Sequence, residues 1–368
     1  MGITNVWFLD GKDTASQNVL NSLANWGHGA NLEALVRIVR LTRPEVIISW
    51  LPGVFIGENH GDHQASGVLA MEAFDLAGDP VAFPAQVAGA SKRLEPYLEN
   101  LTPWQPKKIY FFGDASDEKQ FAGKGPAYSI REVSPSQKKP YWRIALEAAK
   151  PHLTQFPAEI HRLSSLSDEQ LEKMMSDPDH AWWSEPMTLI FGKATAPVQP
   201  WEAIFPDIEA KQKEPPRPAE NASAPTTIFD SRQPLSLALG DPWHFYEGFR
   251  HAHKLTNLPG AYAPEIAVKS GSVVGVPVII TRKAGATREI TVKATLPSGW
   301  KVISGDGKFL LPDEEITHLR IDLQSPEIPA NELKERKADS IVVSGLVGEK
   351  SFGEFTLRVL LRSSALPQ

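Results

Sequence analysis

The sequence contains no cysteine, which excludes disulfides, thiolate metal ligands and cysteine nucleophiles together. Any metal it binds must sit on His, Asp or Glu. No apolar run of about 18 residues occurs, so no membrane-spanning helix is expected. The start, Met1 to Asp13, lacks the basic-then-apolar layout of a secretory signal. Clustered basic charge is also missing. The formal net charge is −6 with Lys and Arg scattered, which argues against a nucleic-acid partner and for a small or neutral one.

What is present is ordinary globular material. Hydrophobic residues make up 42% and charged residues 22% of 368 residues, enough for real cores and too long a chain for one. In Asn31 to Leu41, the residues Leu32, Leu35, Val36 and Val39 form the stripe of an amphipathic helix. Glu45 to Trp50 is a nearly continuous apolar run, the pattern of a parallel strand covered on both faces. A loop, a helix over Gln64 to Ala77 and a strand over Lys107 to Phe112 follow, completing one βαβ-type unit. Lys139 to Leu153 and Ser167 to Met175 read as helices, the second opened by a Ser167/Gln170 capping box.

Pro215, Pro216, Pro218 and Pro225 then mark a linker. Beyond Pro264 come short alternating segments: Glu265 to Lys269, Val273 to Thr281, Arg288 to Ala294, Thr317 to Leu323, Ser340 to Val347 and Phe352 to Leu361. Their turn spacing predicts an all-β sandwich. The domains are therefore placed at 1–192, 193–260 for the proline-rich linker, and 261–365.

The stretch Asn59-His60-Gly61-Asp62-His63 falls beyond the carboxyl end of a strand, where open α/β sheets bind ligands. Two imidazoles around a carboxylate offer a metal ligand, an acid for a leaving amine and a group to orient one ring. The bland reading is that Asp62 simply caps the helix starting at Gln64, with both histidines solvated. His251 and His253 have no acidic cluster beside them and read as surface residues, and His28 as part of a glycine-flanked loop, Asn25 to Asn31.

Arg43-Pro44-Glu45-Val46-Ile47-Ile48, a loop and His60-Gly61-Asp62-His63 together resemble the second metal motif of the PIG-L/LmbE zinc-dependent N-deacetylases. Glu45 stands where that family has Asp, and Gly61 where it has Pro. The resemblance continues through Lys107 to Phe112 and Ala148-Ala149-Lys150-Pro151-His152-Leu153-Thr154-Gln155, roughly the first 190 residues. It implies a Rossmann-like α/β domain with a mostly parallel sheet, and hydrolysis of the N-acetyl group of an amino-sugar conjugate. By the same resemblance His63 would ligate zinc, His60 would act as catalytic acid or stabilise the tetrahedral intermediate, Asp62 would hold His63, and His152 would line the substrate pocket. Zinc would polarise the acetamide carbonyl and acidify the attacking water.

The family's opening Ala-His-Pro-Asp-Asp, which supplies two more ligands and the general base, does not precede His60. The upstream acids and imidazole, Asp10, Asp13, Glu33, Glu45, Glu58 and His28, lie in no such pattern. The expectation is an α/β domain incomplete at its amino end and short of its chemistry. One reading has the true start upstream, with a periplasmic or secreted location if a signal lies there and a cytoplasmic one otherwise. The other has a non-catalytic carbohydrate-binding or scaffolding protein derived from a deacetylase. The β region, with Leu296-Pro297-Ser298-Gly299-Trp300, resembles immunoglobulin-like modules beside bacterial carbohydrate-active enzymes. Such a module serves as a spacer or docking unit, and Trp300 is assigned either to its core or to a sugar platform.

Overall fold

The computed structural model describes residues 5–53, 60–89, 98–113, 123–151, 157–176, 186–206, 208, 233–258, 264–333 and 336–363. These fall into two compact units, one drawn from 1–12, 26–51 and 69–219, the other from 13–25, 52–68 and 220–368. Three helices matter for the site: α1 (Val19–Trp26), α2 (His28–Thr42) and α3 (Gly61–Leu76). No helix among the described residues is long and apolar enough to cross a membrane.

The first unit contains strands β1 (Val46–Trp50), β2 (Lys108–Phe112), β3 (Ala127–Tyr128), β4 (Met187–Thr188) and β5 (Ile190–Ala194). β1 and β2 pair in parallel, Val46 opposite Lys108, and β5 adds antiparallel to the other edge of β2. The parallel pair with a helix between its strands in the chain matches the expected strand-helix-strand order. Among the described residues the sheet is mixed, however, and β1 lies at its edge. Ile48 is 50% exposed, so β1 is not covered on both faces as its apolar run suggests. Apolar composition reports a preference for burial and does not specify which neighbours supply it.

Helix α2 buries Leu32, Val36 and Val39 from the expected stripe, and Arg40 with them. The guanidinium donates to the carbonyls of Ala77 (3.1 Å), Asp79 (2.7 Å) and Ala82 (2.9 Å) and to Gln86 Oε1 (3.0 Å). One side chain thereby organises the chain that leaves α3. The segment Asn25 to Asn31 is not a loop. Gly27 alone, at φ 71°, joins α1 to α2, a left-handed turn that glycine adopts without steric cost. Later, the helix expected over Lys139 to Leu153 spans Tyr141–Ala149, starting after Pro140. The Ser167/Gln170 capping box is formed in both directions.

In the second unit, β6 (Leu235–Leu239), β7 (Glu265–Lys269), β8 (Val273–Arg282), β9 (Glu289–Thr295), β10 (Lys301–Ser304), β11 (Gly307–Leu310), β12 (Ile316–Gln324), β13 (Asp339–Val347) and β14 (Lys350–Arg362) form two sheets. Their orders are β10-β12-β8-β6 and β11-β9-β13-β14-β7. Val276, Val278 and Ile280 of β8 share one core with Val343 of β13 and Leu357 and Val359 of β14, so the two sheets bury their apolar faces in a common layer, sandwich fashion. Trp300 belongs to that core: it is 6% exposed and its Nε1 donates to Asp339 Oδ2 at 2.8 Å.

All six expected strands are present. The region 193–260 differs from its linker reading, because β6 pairs antiparallel with β8 and a helix spans Trp243–Ala252. Leu235, Leu237 and Leu239 alternate with Ser236 and Ala238 and enter the sandwich core, a period-two signal next to the proline-rich stretch.

Candidate functional site

The site is built where the chain enters α3. The His60 carbonyl accepts the Gln64 N–H at 3.2 Å, closing the first helical turn, and Asp62 lies in that turn, where its charge favours the helix dipole. The capping reading is thus realised in part. A second segment crosses the same helix end. Gly61 N–H donates to Ser16 O at 2.7 Å, Thr14 N–H to Asp62 Oδ2 at 2.9 Å, and Gln64 Nε2 to Gln17 O at 3.2 Å. These bonds tie residues 13–18 to the helix and bring Asp13 to it.

Gly61 makes this approach possible. A Cβ there would stand 2.6 Å from Ser22 Oγ, 2.8 Å from Ser16 O and 2.9 Å from Asn18 O.

Asp13, His60 and Asp62 each offer one ligand atom within 4.8 Å of the others, and among the described residues this is the group able to converge on one ion. Donors around a tetrahedral zinc stand about 3.4 Å apart, given bonds of about 2.1 Å. Closure therefore needs small side-chain rotations, which exposed Asp13 can supply. The His60 ring is 35% exposed and the Asp62 carboxylate 14%. His60 Nδ1 lies 3.6 Å from Asp62 Oδ2 and also faces the Asp62 N–H at 3.2 Å. Asp62 Oδ1 is buried without a hydrogen-bond partner, the kind of oxygen a cation would satisfy.

His60 and Asp62 meet, joined by Asp13, which carries no motif. His63, expected as the metal ligand, is outside the three-donor group; its ring centroid is 5.8 Å from that of His60. His152 lies outside the described residues. His28 is engaged elsewhere, with Nε2 2.6 Å from Glu72 Oε2, and this bond raises its pKa above 6.5 against the opposing effect of burial. His253 packs its ring 4.3 Å from that of Phe249 and joins no metal-competent group among the described residues. Glu45, which stands in place of the family's Asp, pairs with Lys107 Nζ at 2.8 Å.

No protein-family model matches the chain, and no curated protein matches it. Among solved structures, a family 123 glycoside hydrolase from Clostridium perfringens is similar at 11% identity over 36% of this chain and 28% of that one, with a TM-score of 0.24. The periplasmic chaperone SfaE is similar at 11% identity over 29% of this chain and 57% of its own, with a TM-score of 0.20. WR4, a C. elegans MSP family member, is similar at 16% identity over 27% of this chain and 92% of its own, with a TM-score of 0.18. Likenesses this slight carry neither a family nor an activity to the chain.

Proposed function

We propose that this chain is a metal-dependent amide hydrolase on the PIG-L/LmbE pattern, acting on the N-acetyl group of amino-sugar conjugates, with zinc held by Asp13, His60 and Asp62. In this reading the α/β part of the chain is Rossmann-like and the two-sheet part within 233–363 is an immunoglobulin-like sandwich. The observation that carries it is the convergence of two carboxylates and an imidazole within 4.8 Å of one another.

The donor set fits the ion. Two carboxylates balance a dication, three protein ligands leave a position open, and the buried Asp62 Oδ1 is otherwise unsatisfied. When bound, the metal supplies Lewis acidity at the amide carbonyl and to a water. The protein's own groups do the rest. Thr14 N–H fixes the Asp62 carboxylate, and the Asp62 N–H, donating to Nδ1 at 3.2 Å, orients the His60 ring. His63, on the same helix end, is left to protonate the departing amine, a step that a positioned imidazole performs near neutral pH. This exchanges the roles that the family resemblance gives to the two histidines.

The test measures zinc content after dialysis and acetate release from an N-acetylglucosamine conjugate on the same preparations. Asp13→Asn and His60→Ala should lose zinc. His63→Ala should keep it while turnover falls by about 10²- to 10⁴-fold, the usual contribution of a positioned acid or base. Zinc lost from His63→Ala but kept by His60→Ala would restore the family assignment and overturn this one. Zinc retained without any acetate release would favour the non-catalytic reading.

A further inference from the structure

We propose that the sandwich carries a binding site for a small carboxylate ligand, centred on Arg282, independent of the amide-hydrolase reading. Arg282 is the last residue of β8 and lines a cleft of about 530 Å³ with Lys283, Gly285, Asp313 and Glu315. Its side chain is only 8% exposed, and its Nε is buried without a hydrogen-bond partner. The remaining contacts are few and long: one terminal nitrogen donates to Ala286 O at 3.2 Å, the other to Pro312 O at 3.5 Å and lies 3.6 Å from Asp313 Oδ1. A guanidinium has five N–H donors, and a buried one left short of acceptors is costly, so the site favours an added anion.

The anion now nearest is loosely held. Asp313 is 83% exposed and is shared with Arg288, whose terminal nitrogen lies 3.1 Å from it. Such a carboxylate can swing into solvent when another arrives. The frame around it is fixed by backbone bonds: Arg282 N–H to Glu315 O at 2.7 Å, Ala286 N–H to Lys283 O at 3.0 Å and Leu311 N–H to Arg288 O at 2.8 Å. A monoanion replacing Asp313 preserves the local charge balance, and planar carboxylate geometry suits the guanidinium fork. A phosphate dianion would bring an added charge toward Glu315, which shares the cleft.

The experiment is an NMR titration of the full chain at constant ionic strength with sodium glucuronate as probe and glucose and inorganic phosphate as comparators. Glucuronate should shift amides of 282–288 and 311–315 saturably, and glucose should not. Asp313→Asn should tighten glucuronate about two- to fivefold, the competition expected from an exposed ion pair. Arg282→Met should abolish binding; should that variant fail to fold, Asp313→Asn and the comparators still decide. Equal shifts with glucose, phosphate binding as tight as glucuronate, or no tightening in Asp313→Asn would each overturn the proposal.

Discussion

Gly61→Pro places at the site the residue that the resembling family carries there, and it is expected to destabilise the second unit by about 2–4 kcal/mol. A steric clash and a lost hydrogen bond add. A Cβ at this position meets Ser22 Oγ at 2.6 Å and the carbonyl oxygens of Ser16 and Asn18 at 2.8 and 2.9 Å. Two of those three are backbone atoms and cannot rotate aside, so the crowding is worth about 1–3 kcal/mol. Proline also removes the N–H that donates to Ser16 O at 2.7 Å, about 1 kcal/mol more. Its Cδ also takes the place of that hydrogen, close to Ser16 O, so although proline is otherwise well accommodated at the first position of a helix, the total is a lower bound. Gly61→Ala isolates the clash. Urea unfolding should therefore rank native above Gly61→Ala above Gly61→Pro, with the last gap at least about 1 kcal/mol. Zinc retention should fall in step, since the same displacement carries Asp13 away from His60 and Asp62. If Gly61→Pro unfolds within about 0.5 kcal/mol of the native chain, a surface-like effect, then residues 13–18 are not docked on α3 in solution. Asp13 would then leave the metal group.

Three further outcomes follow from the packing. Arg40→Met should lower stability by about 3 kcal/mol or more in thermal denaturation, because the carbonyls of Ala77, Asp79 and Ala82 lose a buried donor; Arg40→Lys should recover only part, and a near-neutral Arg40→Met would refute this account. The bond to Glu72 raises the folded pKa of His28 above its ordinary 6.5, so its stabilisation is full below 6.5 and is lost as pH rises through the folded value. His28→Gln should accordingly lower the melting temperature more at pH 6 than at pH 9, and an equal loss at both would show that the pair contributes nothing through charge. A fragment of residues 233–363 should melt well above one of residues 261–363, because the shorter one lacks β6 and with it the buried Leu235, Leu237 and Leu239, each worth about 1.5–3 kcal/mol at most; coincident melting would show that β6 adds little to the sandwich.

Most of the sandwich was legible because most of its strands bury chiefly one face, so alternation such as Val274, Val276 and Val278 writes the fold into the chain, while Ile279 to Arg282 at the end of β8 are buried on both faces. The same signal exists in β6 but is short and borders a proline-rich stretch, whose composition outweighs it. β10 and β11 have four residues each, too few for a period to stand out. In the first unit α2 was readable from its stripe and the helix Asp168–Met175 from its capping box, while the helix Pro157–Ser165 gave no such signal. The environment of β1 was not, since a run of apolar residues looks the same at the edge of a sheet as at its centre.

The candidate site divides in the same way. His60, Asp62 and His63 are close in the chain and could be recognised as a group, but their spacing does not say which imidazole joins the two carboxylates. Residues three apart at a helix start lie on neighbouring positions of one face, so either ring can be directed inward. The choice falls to Asp62, and its direction is set from outside the helix by the N–H of Thr14, 48 positions earlier. That bond holds Oδ2 on the His60 side, 3.6 Å from Nδ1. The residue that completes the group, Asp13, precedes the same threonine and arrives with it. Since Asp13 sits in no local pattern, its role emerges only when the chain folds back, and the assignment of both histidines depends on that single crossing segment.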